Sequence, residues 1–378
     1  MEKYYIGTLN NISQKGLCRL TDNFELTEDI DKSNGIIVRS YKMHDMDFSD
    51  NLLAIGRAGA GVNNIPLDVC SSKGIVVFNA PGANSNAVKE LVVAGLIMAA
   101  RNVYEGISWG QTLTGDVAAE VEKGKKQFVG SEITGKTLGV IGLGAIGAKI
   151  ANAANALGMN IVAYEPFKAH PCLTAPVQLY DKVEEMVKVC DYVTIHVPSL
   201  PDTKGMINRE LIAKMKDGAV ILNYARPDLI VIEDVIEALE SGKIRKYMTD
   251  LLEPEYIGKK GIIATPHLGA STSESEENCA IMAADELMDY LENGNIVNSV
   301  NFPKVTLDAK DGTKKHCFFV KCDKDANEIK QKISEFYGDC LVDIAGNKKG
   351  EYGYFVVQIK DSCDKVYECD CVIRFRSL

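Results

Sequence analysis

The sequence has neither a long hydrophobic run nor an excess of basic residues, and each absence excludes a class of protein. The longest apolar run, residues 91–100, is about half as long as the roughly 20 residues that a membrane-spanning helix needs. With 52 acidic and 42 basic residues the net charge is −10, which argues against nucleic acid and anionic membranes as main partners. Residues 1–5 lack the basic-then-apolar layout of a signal peptide. We therefore expect a cytoplasmic protein that acts on a small molecule.

Paired Cys-x-x-Cys motifs are also missing, although the chain has 11 cysteines. Six of them lie towards the C-terminal end, namely Cys317, Cys322, Cys340, Cys363, Cys369 and Cys371. Because the spacing typical of zinc sites is absent, we predict no metal site. Free thiols are the favoured interpretation for a protein without a signal peptide.

The most informative segment is residues 137–147, with the sequence TLGVIGLGAIG. It predicts a buried strand, a Gly-x-Gly-x-x-Gly turn and then a helix. Gly142 permits the tight bend, Gly144 lets the backbone approach a pyrophosphate, and Gly147 allows the helix to pack closely on the strand. A second strand ends on Glu165, whose carboxylate can accept hydrogen bonds from ribose and repel a 2′-phosphate. The pattern predicts a dinucleotide site that favours NAD over NADP.

Alternating strands and helices around this motif predict an α/β fold. Short apolar strands before residue 80 indicate a small parallel sheet, and later strands complete a doubly wound sheet. From about residue 303 the pattern changes. We predict residues 1–97 and 287–302 as a substrate-binding domain, 98–286 as a nucleotide-binding domain, and 303–378 as a small α+β module.

Candidate catalytic residues follow strands of the nucleotide-binding domain, at the sheet edge where ligands bind in such folds. Oxidation of a 2-hydroxy acid needs a cation, a base for the hydroxyl proton and a group that orients the base. Arg226 suits the first role because a guanidinium binds a carboxylate through two hydrogen bonds. His267 suits the second role, because histidine is the residue type that most often acts as a general base. Glu253 and Glu255 are both candidates for the third role.

Several segments together resemble the D-2-hydroxyacid dehydrogenase family. They are residues 36–40 (IIVRS), 55–64 (IGRAGAGVNN), 81–91 (PGANSNAVKEL), 138–147, 164–166 (YEP), 196–198 (HVP), 223–226 (NYAR), Asp250 and 265–271 (TPHLGAS). The resemblance implies a Rossmann doubly wound NAD-binding domain inserted in a flavodoxin-like substrate-binding domain. It also implies NAD as cofactor and a homodimer or higher homo-oligomer.

The resemblance further implies a function and assigns site residues. The leading hypothesis is oxidation of D-3-phosphoglycerate to 3-phosphohydroxypyruvate, a step of serine biosynthesis. The alternatives are a hydroxypyruvate or glyoxylate reductase, another dehydrogenase of the family, and an NAD-sensing scaffold like the family's corepressors. The implied catalytic residues are Arg226, Glu255 and His267. The implied cofactor-binding residues are Gly142, Gly144, Ala145, Ile146, Gly147, Glu165, Pro166, His196, Val197, Pro198, Thr203, Asn223, Tyr224, Ala225, Asp250, Gly269 and Ala270. The implied substrate-binding residues are Arg39, Ser40, Arg57, Gly59, Ala60, Gly61 and Asn84.

Three features of the chain depart from the family pattern. The family's spacing after Asp250 selects Glu255, but Glu253 followed by Pro254 resembles the family's common Glu-Pro ending. Pro227 follows Arg226 where the family usually has glycine or a polar residue, and proline restricts the backbone of the residue before it. Glu165 replaces the more usual aspartate.

The C-terminal module resembles an ACT regulatory domain, with its β-α-β-β order and a final strand. Its first helix is predicted to bury Ala326, Ile329, Ile333 and Phe336, to begin with a capping box of Asp325 and Glu328, and to stop at Gly338. A second helix is expected within residues 361–370. The module is expected either to bind a regulatory ligand such as serine or to form a dimer.

Overall fold

The computed structural model describes residues 3–378, which divide into two compact units. Unit 1 comprises the described residues up to Asn84 together with Ser273–Leu378, and unit 2 is Ser85–Thr272. The strands are β1 (Tyr4–Leu9), β2 (Phe24–Thr27), β3 (Gly35–Val38), β4 (Ala54–Arg57), β5 (Val76–Asn79), β6 (Thr137–Ile141), β7 (Asn160–Tyr164), β8 (Gln178–Leu179), β9 (Tyr192–Ile195), β10 (Ala219–Asn223), β11 (Ile244–Thr249), β12 (Ile262–Ala264), β13 (Thr313–Lys321), β14 (Leu341–Lys349), β15 (Tyr352–Lys360) and β16 (Val372–Ser377). The α-helices are α1 (Gln14–Leu17), α2 (Leu67–Ser72), α3 (Ser85–Arg101), α4 (Val103–Gly110), α5 (Val117–Gly124), α6 (Ala145–Ala156), α7 (Val183–Met186), α8 (Arg209–Lys214), α9 (Ile232–Glu240), α10 (Ser273–Asn293) and α11 (Ala326–Tyr337).

Unit 1 contains a parallel sheet in the order β2-β1-β3-β4-β5, which is the order of flavodoxin-like folds. Strands β3 to β5 lie where the apolar runs of the sequence predict them. The pairing of Val38 with Arg57 places the ends of β3 and β4 at one edge of the sheet. The long helix α10 packs on this sheet through buried residues such as Leu287. Parallel strands are buried on both faces and therefore have a near-continuous apolar sequence, which allows them to be predicted from the sequence alone.

Unit 2 contains a seven-stranded parallel sheet in the order β12-β11-β10-β9-β6-β7-β8. Numbered within the unit, this is the 3-2-1-4-5-6 order of a Rossmann fold with one further strand. The order reverses between β6 and β9, and in such sheets ligands bind at the carboxyl ends of the strands beside this point. The predicted fold class, a Rossmann domain inserted in a flavodoxin-like domain with a small α+β module, is confirmed.

The C-terminal residues form an antiparallel sheet in the order β14-β15-β13-β16, with α11 on one face. Asp325 caps α11 by accepting a hydrogen bond from the backbone N–H of Asn327, and Gly338 ends the helix with a φ of +52°. One detail of the prediction is wrong: Tyr337 is buried, whereas Phe336 is 39% exposed.

The second helix expected within residues 361–370 is not formed, since residues 361–371 consist of turns and irregular backbone. Its sequence, DSCDKVYECD, has apolar residues at helical spacing over only one turn, at Cys363, Val366 and Tyr367. Cys363 and Tyr367 pack in the core of the small sheet without forming a helix. A disulfide joins Cys369 to Cys371, and the other nine cysteines are free. The expectation of free thiols is therefore wrong for this pair, whose Cα atoms lie 5.3 Å apart, within the range that a disulfide spans.

Both faces of the C-terminal sheet are buried within unit 1. One face contributes Phe319 and Val356 to the same core as Phe78 on the parallel sheet. The other face packs against α11 through Phe318 and Val357. The module therefore shares a hydrophobic core with the rest of unit 1.

Within residues 3–378, no single helix is long and apolar enough to cross a membrane. The pair Ser85–Arg101 and Val103–Gly110, bent by 70°, meets that test only when both helices are taken together. No group of three or more His, Cys, Asp or Glu side chains in the same residues is placed to hold a metal ion.

Candidate active site

The glycine turn of unit 2 connects β6 to α6 in the way that the fingerprint predicts. Gly142 has a φ of +92°, and a Cβ there would lie 2.7 Å from the carbonyl oxygen of His196. A Cβ on Gly147 would lie 1.9 Å from the carbonyl oxygen of Gly142, so only glycine fits. Gly144 caps α6, and a Cβ there would meet no protein atom within 4 Å. The turn thus leaves open space at the positive end of a 12-residue helix, where a pyrophosphate fits.

Glu165 is held against this turn by two backbone hydrogen bonds. The N–H of Leu143 donates to Oε2 at 2.6 Å, and the N–H of Phe167 donates to Oε1 at 2.9 Å. Each carboxylate oxygen can accept a further hydrogen bond, so ribose hydroxyls can still bind. The side chain is only partly buried. Glu165 therefore presents a fixed negative charge beside the turn. Pro166 is the next residue along the chain.

The loop after β9 carries four of the implied cofactor-binding residues, His196, Val197, Pro198 and Thr203, and the last of these holds it. The Thr203 hydroxyl donates to the carbonyl of Pro198 at 2.6 Å and accepts from the N–H of Leu200 at 2.8 Å. The ring of His196 lies 2.7 Å from the hydroxyl of Thr194. Burial lowers the pKa of His196 to about 3, so this histidine is neutral at physiological pH and acts as a hydrogen-bonding group.

Arg226 lies on the loop after β10, and Asn223 fixes that loop. The Asn223 side chain donates to the carbonyl of Arg226 at 2.8 Å and accepts from the N–H of Ala225 at 3.1 Å. Arg226 is exposed, with Nη1 donating to the carbonyl of Ala225 at 2.6 Å. Burial raises the pKa of the neighbouring Tyr224 hydroxyl, which stays protonated.

The departure at Pro227 fits the local backbone. Pro227 is the first residue of a 3-10 turn, Pro227–Leu229, a position where the missing N–H of proline is not needed. Arg226 is extended, with φ −145° and ψ 142°, which is the region that a following proline favours. Pro227 therefore rigidifies the loop without distorting it.

Asp250 connects the end of β11 to the segment that carries His267. Its Oδ2 accepts from the N–H of Gly269 at 2.6 Å, and its carbonyl accepts from the N–H of His267 at 2.6 Å. Asp250 is 2% exposed, and its buried Oδ1 has no hydrogen-bond partner among the residues that the structure describes. A buried acceptor without a donor is costly, and the amide of a nicotinamide supplies such a donor. Together with the open turn at Gly144, this atom shows that the residues fit NAD.

His267 has a φ of +52°, a left-handed conformation that is unfavourable for a histidine. Neither Glu253 nor Glu255 forms an ion pair or hydrogen bond with its ring in the described part of the chain. Glu255 is exposed on the 3-10 turn Pro254–Tyr256. The pairing of Glu255 with His267 therefore stays a prediction, and the choice between the two acids stays open.

Two of the implied substrate-binding residues lie at the carboxyl edge of the parallel sheet in unit 1. Arg39 follows β3 and Arg57 ends the neighbouring strand β4. Arg39 Nη2 lies 2.7 Å from Oε1 of Glu276. The guanidinium of Arg57 covers Gly59, since a Cβ on Gly59 would lie 1.5 Å from Arg57 Nη1. Ser40, next to Arg39, is fixed through its N–H, which donates to the side chain of Asn10 at 2.9 Å.

The loop at residues 59–61 presents backbone N–H groups, as expected of a carboxylate-binding segment. The Asn79 side chain donates to the carbonyl of Ala60 at 2.6 Å and so fixes the loop. Within residues 3–378, the N–H groups of Ala60 and Gly61 donate to no backbone or side-chain acceptor, whereas that of Gly59 donates to Arg57. Asn84 Oδ1, in the same unit, is buried without a partner among these residues.

Four residues with roles in holding the sites escape the sequence patterns: Asn10, Asn79, Thr194 and Glu276. Asn10 has a φ of +72°, and asparagine is one of the few residues that adopt this conformation readily. Asn79 and Glu276 have no local signal, because each acts through a partner on another segment of the chain, whereas Thr194 contacts His196 two residues further along the same segment.

Comparisons with known proteins agree with this geometry. Residues 93–269 match the family model described as D-isomer specific 2-hydroxyacid dehydrogenase, NAD binding domain. The chain is 32% identical over 355 residues to a D-3-phosphoglycerate dehydrogenase of Haemophilus influenzae. This match covers 88% of the chain and 83% of the relative. The chain is 38% identical over 294 residues to a D-3-phosphoglycerate dehydrogenase of Methanocaldococcus jannaschii. This second match covers 74% of the chain and 54% of the relative. The chain thus spans about half the length of that second relative.

A solved structure gives the same picture of the fold. The crystal structure of NAD+-bound 3-phosphoglycerate dehydrogenase from Entamoeba histolytica superimposes with a TM-score of 0.62 at 28% identity. The match covers 79% of this chain and 99% of that one.

Proposed function

The chain belongs to the D-isomer specific 2-hydroxyacid dehydrogenase family, and we propose that it oxidises D-3-phosphoglycerate to 3-phosphohydroxypyruvate with NAD. Two predictions are confirmed: the chain is an NAD-dependent dehydrogenase of this family, and its cofactor is NAD. The observation that carries the choice of substrate is the pair Arg39 and Arg57 at the ends of neighbouring strands. On a protein with a net charge of −10, such a local cluster of cations suits an anionic substrate. This reaction would place the protein in serine biosynthesis.

The proposed chemistry divides among residues of the chain. In unit 2, Arg226 binds the substrate and polarises the oxygen on C2. In unit 1, the N–H groups of Ala60 and Gly61 are the candidates to receive a carboxylate. His267 takes the proton of the C2 hydroxyl as general base, and Glu255 orients its ring. NAD held by the residues of unit 2 would supply the acceptor for the hydride on C2.

The preference for NAD over NADP rests on Glu165. Its carboxylate is fixed by the N–H groups of Leu143 and Phe167, so it cannot swing away from a ribose at the turn. A 2′-phosphate there would face a negative charge at close range. The buried Oδ1 of Asp250 supports a nicotinamide at the other end of the cofactor.

One observation favours the second candidate, a hydroxypyruvate or glyoxylate reductase. Arg39 is already paired with Glu276, which reduces the positive charge available for a phosphate. The scaffold alternative has no comparable support.

The predicted homodimer and the ACT-like role of the C-terminal module stay predictions. Apolar side chains at residues 104–129 support association, since Ile107 is 57% exposed and Val129 is 76% exposed. The four-stranded sheet with one helix supports an ACT-like module that has lost its second helix.

The experiment that tests the proposal is NADH oxidation with four 2-oxo acids in parallel, repeated with NADPH. The acids are 3-phosphohydroxypyruvate, hydroxypyruvate, glyoxylate and 2-oxoglutarate. We expect a strong preference for 3-phosphohydroxypyruvate with NADH. A preference for an unphosphorylated acid would support the second candidate, and no turnover with any acid would favour the scaffold.

A further inference from the structure

A salt bridge in unit 1 holds one of the two arginines that the proposed function assigns to the phosphate. Arg39 Nη2 lies 2.7 Å from Oε1 of Glu276, and the two side chains are 38% and 41% exposed. Glu276 lies in the first turn of α10, where the helix dipole favours a negative charge. The bridge therefore joins the start of α10 to the carboxyl edge of the parallel sheet.

The charges around this bridge are crowded. Cys279, one turn further along α10 and on the same face as Glu276, has a buried thiol whose pKa is raised by burial. The charges of Arg57 and Arg39 lower that pKa, and the charge of Glu276 raises it. All three charged groups thus act on the same thiol, so two cations and one anion share a small region.

A phosphate that binds in this region meets a competitor. A phosphate monoester carries a charge of about −1.5 to −2 at neutral pH. A guanidinium binds such an anion best through two parallel hydrogen bonds. Glu276 Oε1 lies 2.7 Å from Nη2 of Arg39, so its carboxylate competes with a phosphate for that donor and offsets part of the positive charge. Partly exposed salt bridges are weak enough for this exchange.

We propose that Glu276 is a specificity-determining residue that competes with the substrate's phosphate for Arg39 and thereby limits the affinity for phosphorylated substrates. The inference rests on the proposed function, because it needs a phosphate on the substrate. Glu276 holds Arg39 in place when the substrate is absent and yields it when the phosphate arrives. An acid in this position keeps the site from binding every small phosphate tightly.

The test is Glu276→Gln, assayed with NADH and either 3-phosphohydroxypyruvate or hydroxypyruvate. The preference for the phosphorylated acid is measured as the KM for hydroxypyruvate divided by the KM for 3-phosphohydroxypyruvate. We expect this ratio to rise about threefold to fivefold. The matched control is Glu274→Gln, which removes an exposed acid from the same helical turn. Because the control leaves the bridge to Arg39 intact, its ratio should equal that of the wild type. Glu276→Ala should reproduce the shift, since both variants remove the charge.

The outcomes separate this inference from the proposed function. An unchanged or lower ratio in Glu276→Gln, with a wild type that prefers the phosphorylated acid, would overturn the inference alone. A wild type without that preference would overturn the proposed function as well. In an Arg39→Ala background, Glu276→Gln should have no effect on the ratio. An undiminished rise there would mean that Glu276 repels the phosphate directly, and competition for Arg39 would be wrong.

Discussion

Two sets of arginines in this protein have opposite surroundings. Arg39, Arg57 and Arg226 each end or closely follow a parallel strand and lie at the carboxyl edge of a sheet. Arg374 and Arg376 lie within β16 of the C-terminal sheet. The second pair donates to main-chain carbonyls of other segments, Arg374 to Leu52 and Asp50, and Arg376 to Leu291 at 2.9 Å.

The difference lies in what the guanidinium donors meet. Those of Arg374 and Arg376 satisfy carbonyls, and Arg376 also lies 4.8 Å from the ring centroid of Tyr290. The carbonyl of Leu291 belongs to the last turn of α10, where helices leave carbonyls unsatisfied. By contrast, the exposed guanidinium of Arg226 donates only to the adjacent residue among described groups. We infer that strand-end arginines serve the substrate, whereas the arginines of β16 serve stability.

The largest effect is expected for Arg226→Ala. We expect kcat/KM to fall about 10³-fold, because the variant loses the cation that stabilises the reacting oxygen. NADH binding and the melting temperature should be unchanged, since Arg226 holds no other segment in place. Steady-state kinetics, NADH fluorescence titration and calorimetry check the three quantities. The control is Arg209→Ala, an exposed arginine of the same unit paired with Glu237. Comparable turnover in Arg226→Ala and the control would break the comparison.

For Arg376→Met we expect the opposite pattern, with lower stability and unchanged substrate preference. We expect the free energy of unfolding to fall by about 3 kcal/mol, because the carbonyl of Leu291 loses a charged donor and Tyr290 loses its cation. The preference between phosphorylated and unphosphorylated acids should be unchanged. Urea denaturation measures the first quantity, with Lys321→Met as control. Lys321, on the same sheet, forms an exposed salt bridge with Glu351 and lies 5.4 Å from the ring centroid of Tyr352, and exposed contacts of these kinds should contribute less than about 1 kcal/mol. Equal losses in both variants would contradict the structural role of Arg376.

Arg57→Ala sharpens the comparison at the level of the substrate. We expect the KM for 3-phosphohydroxypyruvate to rise about 30-fold, because a hydrogen-bonded charge pair with the phosphate contributes roughly 2 kcal/mol. The KM for hydroxypyruvate, measured in the same assay, should rise much less. Equal losses for both acids would place Arg57 with the structural arginines.

Glu286, in the middle of α10, predicts a pH dependence of stability. Its Oε1 accepts from the side chain of Asn298 at 2.6 Å, and burial raises its pKa to about 7 from the usual 4.5. Between these two values the folded state binds more protons than the unfolded state, so stability falls as pH rises from about 4.5 to 7. Glu286→Gln removes this loss, and we expect its free energy of unfolding to exceed that of the wild type by about 3 kcal/mol at pH 8 and to equal it near pH 4.

The measurement is urea denaturation of both proteins at several pH values. Glu274→Gln is the matched control, because an exposed acid on the same helix should give a difference that does not depend on pH. Parallel curves for Glu286→Gln and the wild type would mean that the pKa of Glu286 is the same in the folded and unfolded states, and would contradict the raised pKa.

The features that could be predicted from the sequence are those set by neighbours along the chain. Gly142, Gly144 and Gly147 follow from the geometry of one turn, and the central strands follow from their apolar runs. Arg226 could be identified because it closely follows such a strand, and Arg39 is implied by the family resemblance of the segment that contains it. Their chemistry and their place at a sheet edge are both local properties.

The features that could not be predicted depend on distant partners. Nothing in the sequence around Arg39 indicates that it will pair with Glu276, because all of unit 2 separates the two residues along the chain. The strands β1 and β2 lack a continuous apolar pattern, because their faces are only partly buried. The missing second helix and the disulfide of Cys369 and Cys371 depend on how residues 361–371 pack against the small sheet.

The central claim is that the strand-end arginines of unit 1 select a phosphorylated substrate. The most direct test is the ratio of kcat/KM for 3-phosphohydroxypyruvate over hydroxypyruvate, with NADH, in the wild type and in the double variant Arg39→Ala, Arg57→Ala. We predict a ratio well above one in the wild type and a fall of at least about 100-fold in the double variant. A wild-type ratio near one, or a ratio that survives the double substitution, would contradict the claim.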